Sequence, residues 1–94
     1  MPALSEYVNV YNSALKVLED KGFQVWMNKK TDMFCAARDG WDFMAENPIS
    51  LLGLVAIFEH HSPDTYKEYW WKSHGSLDYE SLPDGPVSEK FRNS

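Results

Sequence analysis

The chain contains very little cysteine and histidine. Cys35 is the single cysteine among 94 residues, which excludes an intramolecular disulfide and a zinc site of the Cys-x-x-Cys type. The three histidines do not have the spacing of a zinc-binding motif. No phosphate-binding loop, dinucleotide-binding fingerprint or nucleophile elbow occurs. We therefore predict no metal, no cofactor and no catalytic residue, and an enzyme is the less favoured interpretation.

Long apolar runs and excess positive charge are also missing. The longest apolar stretch covers residues 51–58, whereas a helix needs about 20 apolar residues to span a bilayer. The net charge of −5 disfavours binding to nucleic acid or to an anionic membrane, since both need a basic face. The first ten residues have neither a basic start nor a long apolar run, so no secretory leader is predicted. By elimination, we expect a cytoplasmic protein with no nucleic-acid or membrane partner.

What is present is enough apolar material for one modest core. Hydrophobic residues make up 44% of the chain and aromatic residues 15%, which is typical of a folded domain with an aromatic excess. We predict a single α+β domain over residues 1–83, followed by a flexible C-terminal tail, 84–94. The predicted element order is α-β-β-β-α-α, a three-stranded antiparallel meander packed against helices.

A first helix is predicted from about Ala3 to Lys21, because apolar residues recur there at helical spacing. Gly22 is suited to end it, since glycine adopts the left-handed conformation without a Cβ clash. A Schellman ending at this glycine would place Phe23 against Leu18.

The register of the predicted sheet follows from its turns. Asp39-Gly40 is a strong signal for a type I′ hairpin between the strand 33–38 and a strand beginning at Trp41. A four-residue loop, 29–32, would join a strand over 23–28 to the second strand. This register gives one wholly apolar face, made of Val25, Met27, Phe34, Ala36, Phe43 and Ala45.

Asn47-Pro48 is typical of a helix start, with Asn47 as the cap and Pro48 in the first turn. The helix is predicted to reach about His61 and, because it is apolar on most sides, to be buried on more than one. Gly53 inside it suggests the close approach of another backbone. A third helix is predicted from Ser62-Pro63 to about residue 72 or 73, after which Leu77, Tyr79 and Leu82 are predicted to anchor the chain.

The second face of the predicted sheet is too apolar to be fully solvated. It carries Gln24, Trp26, Met33, Cys35, Ala37, Asp42 and Met44. Either the first helix or the tail covers this face, or a protein partner does. On the predicted third helix, Tyr66, Tyr69 and Trp70 share an inward face, and Trp71 points about 100° away from Trp70.

These observations predict a function in protein–protein contact, as a homodimer or as an accessory, inhibitor or immunity-type partner. The predicted contact residues are Trp26, Met33, Met44 and Trp71. The alternative is a small ligand-binding domain or enzyme with a site between the third helix and the sheet. Its titrating candidates are His61, His74 and Asp42.

Overall fold

The structure, a computed structural model, describes residues 2–73 and 78–86. Most of the predicted tail, 84–94, lies outside these ranges, as do His74 and the predicted anchor Leu77. The described residues form a three-stranded antiparallel sheet and two α-helices, so the α+β class is confirmed.

The sheet has the predicted strands and register. Its strands are β1 (Gln24–Asn28), β2 (Met33–Arg38) and β3 (Trp41–Ala45), in the order β1-β2-β3. Met27 pairs with Phe34 and Ala36 with Phe43, as the turn lengths require. Asp39 and Gly40 both have positive φ, 52° and 84°, which is the geometry of a type I′ turn.

The first helix is shorter than predicted. A 3₁₀ turn, Val8–Val10, leads into α1 (Tyr11–Asp20), so the predicted start at Ala3 is wrong. Leu4 and Tyr7, which would have continued the apolar stripe, are exposed. A helix in water depends mainly on packing for its stability, and these two side chains have none.

The end of α1 has the predicted Schellman geometry. The N–H of Phe23 donates to the carbonyl of Leu18 over 3.1 Å, and the N–H of Gly22 donates to the carbonyl of Glu19 over 2.9 Å. Gly22 has a φ of 91°. Phe23 and Leu18 are both buried members of the core. This ending turns the chain directly into β1.

The second helix, α2 (Pro48–His61), begins as predicted: the Asn47 side chain accepts a hydrogen bond from the N–H of Ser50 over 2.8 Å. The prediction that it is buried on more than one side is wrong. Leu51 and Val55 are fully buried, but Leu54 and Ile57 remain 37% and 44% exposed. Gly53 is exposed as well, and a Cβ placed on it would meet open space, so no backbone approaches it closely among the described residues.

The predicted third helix is wrong, because Ser62 is used to end α2 instead of starting another helix. Its φ and ψ of 45° and 54° are left-handed, and its N–H donates to the carbonyl of Phe58 over 2.8 Å. An N-cap has extended geometry, so this residue cannot serve as one. Residues 63–73 contain a bend at 64–65 and turns at 68–71, and no helix. The predicted inward face is not formed either, since Tyr66 and Tyr69 are exposed and only Trp70 is partly buried.

The two α-helices lie on one face of the sheet, with α1 mainly on β1 and α2 on β3 and β2. The core between these layers consists of Leu18, Phe23, Ala36, Phe43, Ala45, Leu51 and Val55. After residue 78 the chain forms one 3₁₀ turn, Tyr79–Ser81, where Tyr79 and Leu82 are exposed and do not act as the predicted anchors. Within the described ranges, no helix has the length and apolar character needed to cross a membrane.

Candidate protein-interaction surface

Three side chains cross the second face of the sheet in one row. Trp26 on β1 pairs with Cys35 on β2, and Cys35 pairs with Met44 on β3. Cys35 is only 6% exposed, whereas Trp26 and Met44 are 44% and 52% exposed. The thiol therefore lies beneath the two large flanking side chains, and a shallow depression of about 250 Å³ lies beside them.

The predicted contact residues are only partly brought together. Trp26 and Met44 flank Cys35, as the register required. Met33 is half-buried at the start of β2, opposite Asn28, and lies outside that row. Trp71 lies in the segment 63–73 and lines a groove beside β3 that Met44 also lines. Met44 thus links the second face of the sheet to this groove.

The groove between the edge of β3 and α2, which we call the β3 groove, has a volume of about 310 Å³. It is lined by Asp42, Phe43, Met44, Leu54, Ile57, Trp70 and Trp71. Asp42 is its single charged lining residue. Trp71 is 51% exposed there, and the other exposed apolar side chains come from β3 and α2.

An aromatic cluster holds the segment 63–73 against the groove. The Trp70 ring lies 5.3 Å from Trp41 and 5.9 Å from Phe58, between ring centroids, in edge-to-face geometry. Tyr69 has a φ of 59°, a conformation that is costly for a bulky residue. Trp70 is partly buried after this turn, and Trp71 remains exposed in the groove, 5.8 Å from Tyr69 between ring centroids. The strained residue therefore immediately precedes the inward and the outward tryptophan.

The open edge of β3 adds unpaired backbone to this apolar surface. In a two-residue hairpin the residues flanking the turn, Arg38 and Trp41, form a hydrogen-bonded pair, and every second pair along the ladder does so again. Asp42 and Met44 therefore direct their N–H and C=O groups away from β2. In the described part of the chain, no backbone hydrogen bond from a turn or loop reaches either residue.

The acidic residues of α1 and those near β3 differ in whether a basic side chain pairs with them. On α1, Lys16 lies 3.2 Å from Asp20 and 3.4 Å from Glu19, and hydrogen bonds to these carboxylates raise the pKa of Lys16. Asp42 on β3 and Glu46, which directly follows the end of β3, are both exposed. Among the ion pairs of residues 2–73 and 78–86, none involves either of them. The edge of β3 is thus locally acidic.

The alternative small-molecule site is only partly assembled. A cleft of about 560 Å³ does lie between β3 and the segment 63–73, and Asp42 lines it together with Tyr66 and Trp70. His61 lines a different pocket, where its Nε2 is 3.1 Å from the Ser73 hydroxyl. His74 lies outside the described residues. Within those residues no three His, Cys, Asp or Glu side chains are grouped to hold a metal ion.

Leu54 and Ile57 are the surface residues that the sequence did not predict. The prediction that α2 is buried on more than one side would have placed both in the core. Leu51, Val55 and Phe58 form the stripe at i, i+4 and i+7 that packs on the sheet. Leu54 and Ile57 fall beside this stripe, three residues apart. The sequence did contain a signal for this exposure: α2 has more apolar residues than one buried stripe requires.

Comparison of the chain with protein-family models, with curated proteins and with solved structures gave no match in any of the three. The functional argument therefore depends on the surface just described.

Proposed function

We propose that this chain is a small cytoplasmic protein that acts by binding another protein, through the β3 groove and the adjoining face that carries Trp26. One observation carries the proposal: apolar side chains from β3, α2 and the segment 63–73 converge on a single groove and remain exposed. The roles consistent with it are a homodimer subunit or an accessory, inhibitor or immunity-type partner.

The amount of exposed apolar surface supports a contact. Met44, Leu54, Ile57 and Trp71 are 52%, 37%, 44% and 51% exposed. Fully burying a large apolar side chain contributes about 1.5–3 kcal/mol, so covering the exposed fractions of these four contributes on the order of 3–6 kcal/mol before the costs of association. The largest exposed apolar patch of a monomer is often a functional surface.

Affinity capture with matched variants tests the proposal. The wild-type chain is compared with Leu54→Asp, which places a charge in the groove, and with Val17→Asp, which places one on the exposed side of α1. Val17 is 40% exposed and Leu54 37%, so both variants should fold, which thermal unfolding checks. We expect a protein bound by the wild type and by Val17→Asp to be lost with Leu54→Asp. Equal capture by all three chains would refute the proposal.

Light scattering after size exclusion separates the two forms of the proposal. A dimer that Leu54→Asp dissociates indicates self-association through the groove. A monomer at high concentration leaves binding to a different protein. A monomer that also captures no protein in a groove-dependent manner would contradict both forms.

The second candidate function, binding of a small molecule, is favoured by the cleft of about 560 Å³ beside Tyr66 and Trp70. Chemical-shift mapping against a panel of metabolites and metal ions tests it. Perturbations confined to the residues of this cleft would support ligand binding. No perturbation across the panel would leave protein–protein contact as the better proposal.

A further inference from the structure

We propose that the β3 groove binds an extended segment of a partner protein, which adds as a fourth strand beside β3 and carries basic residues next to Asp42 and Glu46. This inference rests on the proposed function and specifies the shape and charge of the partner.

The backbone of β3 dictates an extended partner. Among the described residues no strand pairs with the outer edge of β3, where Asp42 and Met44 present their N–H and C=O groups, and an incoming strand satisfies such groups with ladder hydrogen bonds. Adjacent strands lie about 4.8 Å apart, so the new strand would occupy the β3 groove itself. A helix laid in the groove would leave these backbone groups unpaired.

The helix α2 already provides a cover for a fourth strand. Leu51 and Val55 are buried on the existing sheet, whereas Leu54 and Ile57 line the groove beside β3 together with Phe43. Side chains alternate across a strand, so every second residue of the incoming segment would pack on these three. Apolar residues are required at those positions.

The charges of β3 determine which residues the incoming segment should carry on its other side, the side that faces away from α2. On its second face β3 displays Asp42 and Met44, and Glu46, which is also exposed, follows directly after the strand ends at Ala45. Opposite charges in cross-strand pairs are stabilising and like charges are destabilising. A segment with a basic residue beside each carboxylate and an apolar residue beside Met44 therefore fits best.

A second copy of the chain fits the edge less well. Two β3 strands paired antiparallel about Met44 would place Asp42 opposite Glu46 of the other copy. Pairing about Phe43 avoids that contact but leaves the same carboxylates as diagonal neighbours. Each copy also brings a net charge of −5. Charge complementarity therefore favours a basic segment over self-pairing.

The opposite edge of the sheet is less suited to strand addition. The groove at β1 is lined by Asn12, Lys16, Glu19 and Gln24, together with a few apolar residues. Lys29 and Lys30 follow β1 directly, and lysine at an edge strand is a common protection against pairing. The β3 edge combines open backbone with an apolar flank.

Synthetic peptides provide the test. The probe is a blocked peptide with the central sequence Lys-Val-Ile-Val-Lys, designed to place its lysines beside the two carboxylates. One control replaces both lysines by glutamate. A second control replaces isoleucine by proline, which removes a ladder N–H. Binding is followed by amide chemical shifts and hydrogen exchange of the full chain.

We expect the lysine peptide to bind, and to protect the amides of Asp42 and Met44 from exchange. The glutamate peptide should bind about tenfold more weakly, since two cross-strand pairs change sign, and the proline peptide should give no protection. In the variant Asp42→Lys, the difference in affinity between the lysine and the glutamate peptide should become smaller or change sign. The matched variant Asp64→Lys, in the exposed segment 63–73, should leave it unchanged.

The outcomes separate this inference from the proposed function. Absence of peptide binding, combined with a captured protein that Leu54→Asp loses, overturns strand addition and leaves the proposed function standing. Concentration-dependent protection of the β3 amides without peptide identifies a second copy as the occupant and overturns the basic partner. Peptide shifts confined to β1, or shifts at the groove without amide protection, also overturn the inference.

Discussion

Arg38, at the end of β2, donates a hydrogen bond from its Nη1 to the carbonyl of Lys21 over 2.7 Å. The same guanidinium lies 4.4 Å from the centroid of the Phe23 ring. Lys21 follows the last residue of α1, where backbone carbonyls have no partner within the helix. One side chain therefore caps the helix, stacks on the core and joins α1 to the end of the central strand β2.

Replacing Arg38 by alanine should lower the free energy of unfolding by about 2 kcal/mol, because a charge-assisted hydrogen bond and a cation–π contact are lost. Chemical denaturation measures the change. The control is Asp39→Asn, since Asp39 is exposed and its Oδ2 lies 3.7 Å from Nε of Arg38. That variant should stay within about 0.5 kcal/mol of the wild type. Equal losses in the two variants would contradict the capping role.

Lys21 also forms an ion pair with Glu59 of α2, with Nζ 2.9 Å and 3.0 Å from the two carboxylate oxygens. Both side chains are partly exposed, so a double-mutant cycle with Lys21→Met and Glu59→Gln should give a coupling of about 0.5–1 kcal/mol. The coupling should shrink in 1 M salt, where the Debye length is about 3 Å. A coupling that does not change with salt would argue against an electrostatic origin.

Two glycine-to-alanine substitutions should have opposite signs. Gly22→Ala forces alanine into a φ of 91°, which should destabilise the protein by about 1–2 kcal/mol. The new Cβ would lie 3.6 Å from Cδ of Arg38, so the backbone conformation and not a clash sets the cost. Gly53→Ala, in an exposed helical position with open space for a Cβ, should stabilise it by about 0.5–1 kcal/mol. Thermal unfolding of both variants checks the prediction, which fails if the signs agree.

Alanine substitutions at two leucines of α2 should have different effects, because one leucine is in the core and the other is at the surface. Leu51 is fully buried, and Leu51→Ala should cost about 2–5 kcal/mol by leaving a cavity. Leu54 lines the β3 groove, and Leu54→Ala should cost less than about 1 kcal/mol in the isolated chain. Denaturation measurements give both values. If a partner fills the groove, Leu54→Ala should weaken that complex far more than it weakens folding.

The sheet was predictable from the sequence because its register depends on two short turns. Asp39-Gly40 leaves one pairing for β2 and β3, and the alternation of apolar residues then selects the pairing of β1. The cap at Asn47 and the stop at Gly22 were predictable for the same reason: each depends on a few neighbouring residues. These features need no knowledge of distant contacts.

The wrong predictions concern features that depend on tertiary packing. Ser62-Pro63-Asp64 has the composition of a helix start, but Ser62 adopts the left-handed conformation that ends α2. Composition alone did not distinguish these two uses. The exposure of Leu54 and Ile57 was not predicted, because periodicity shows that a residue is apolar and does not show whether the rest of the chain is large enough to bury it.

The meander also bears on the order of folding. Its strand pairs all lie between Gln24 and Ala45, whereas the ion pair between Lys21 and Glu59 closes a separation of 38 residues. Local pairings pay little loop-closure entropy and form early, and distant ones wait for a framework. We expect φ-values to be highest around the Asp39-Gly40 hairpin and low at the contact of α1 with α2. The edge of β3 would then be exposed from the first stage of folding, and the β3 groove would form beside it only when α2 docks.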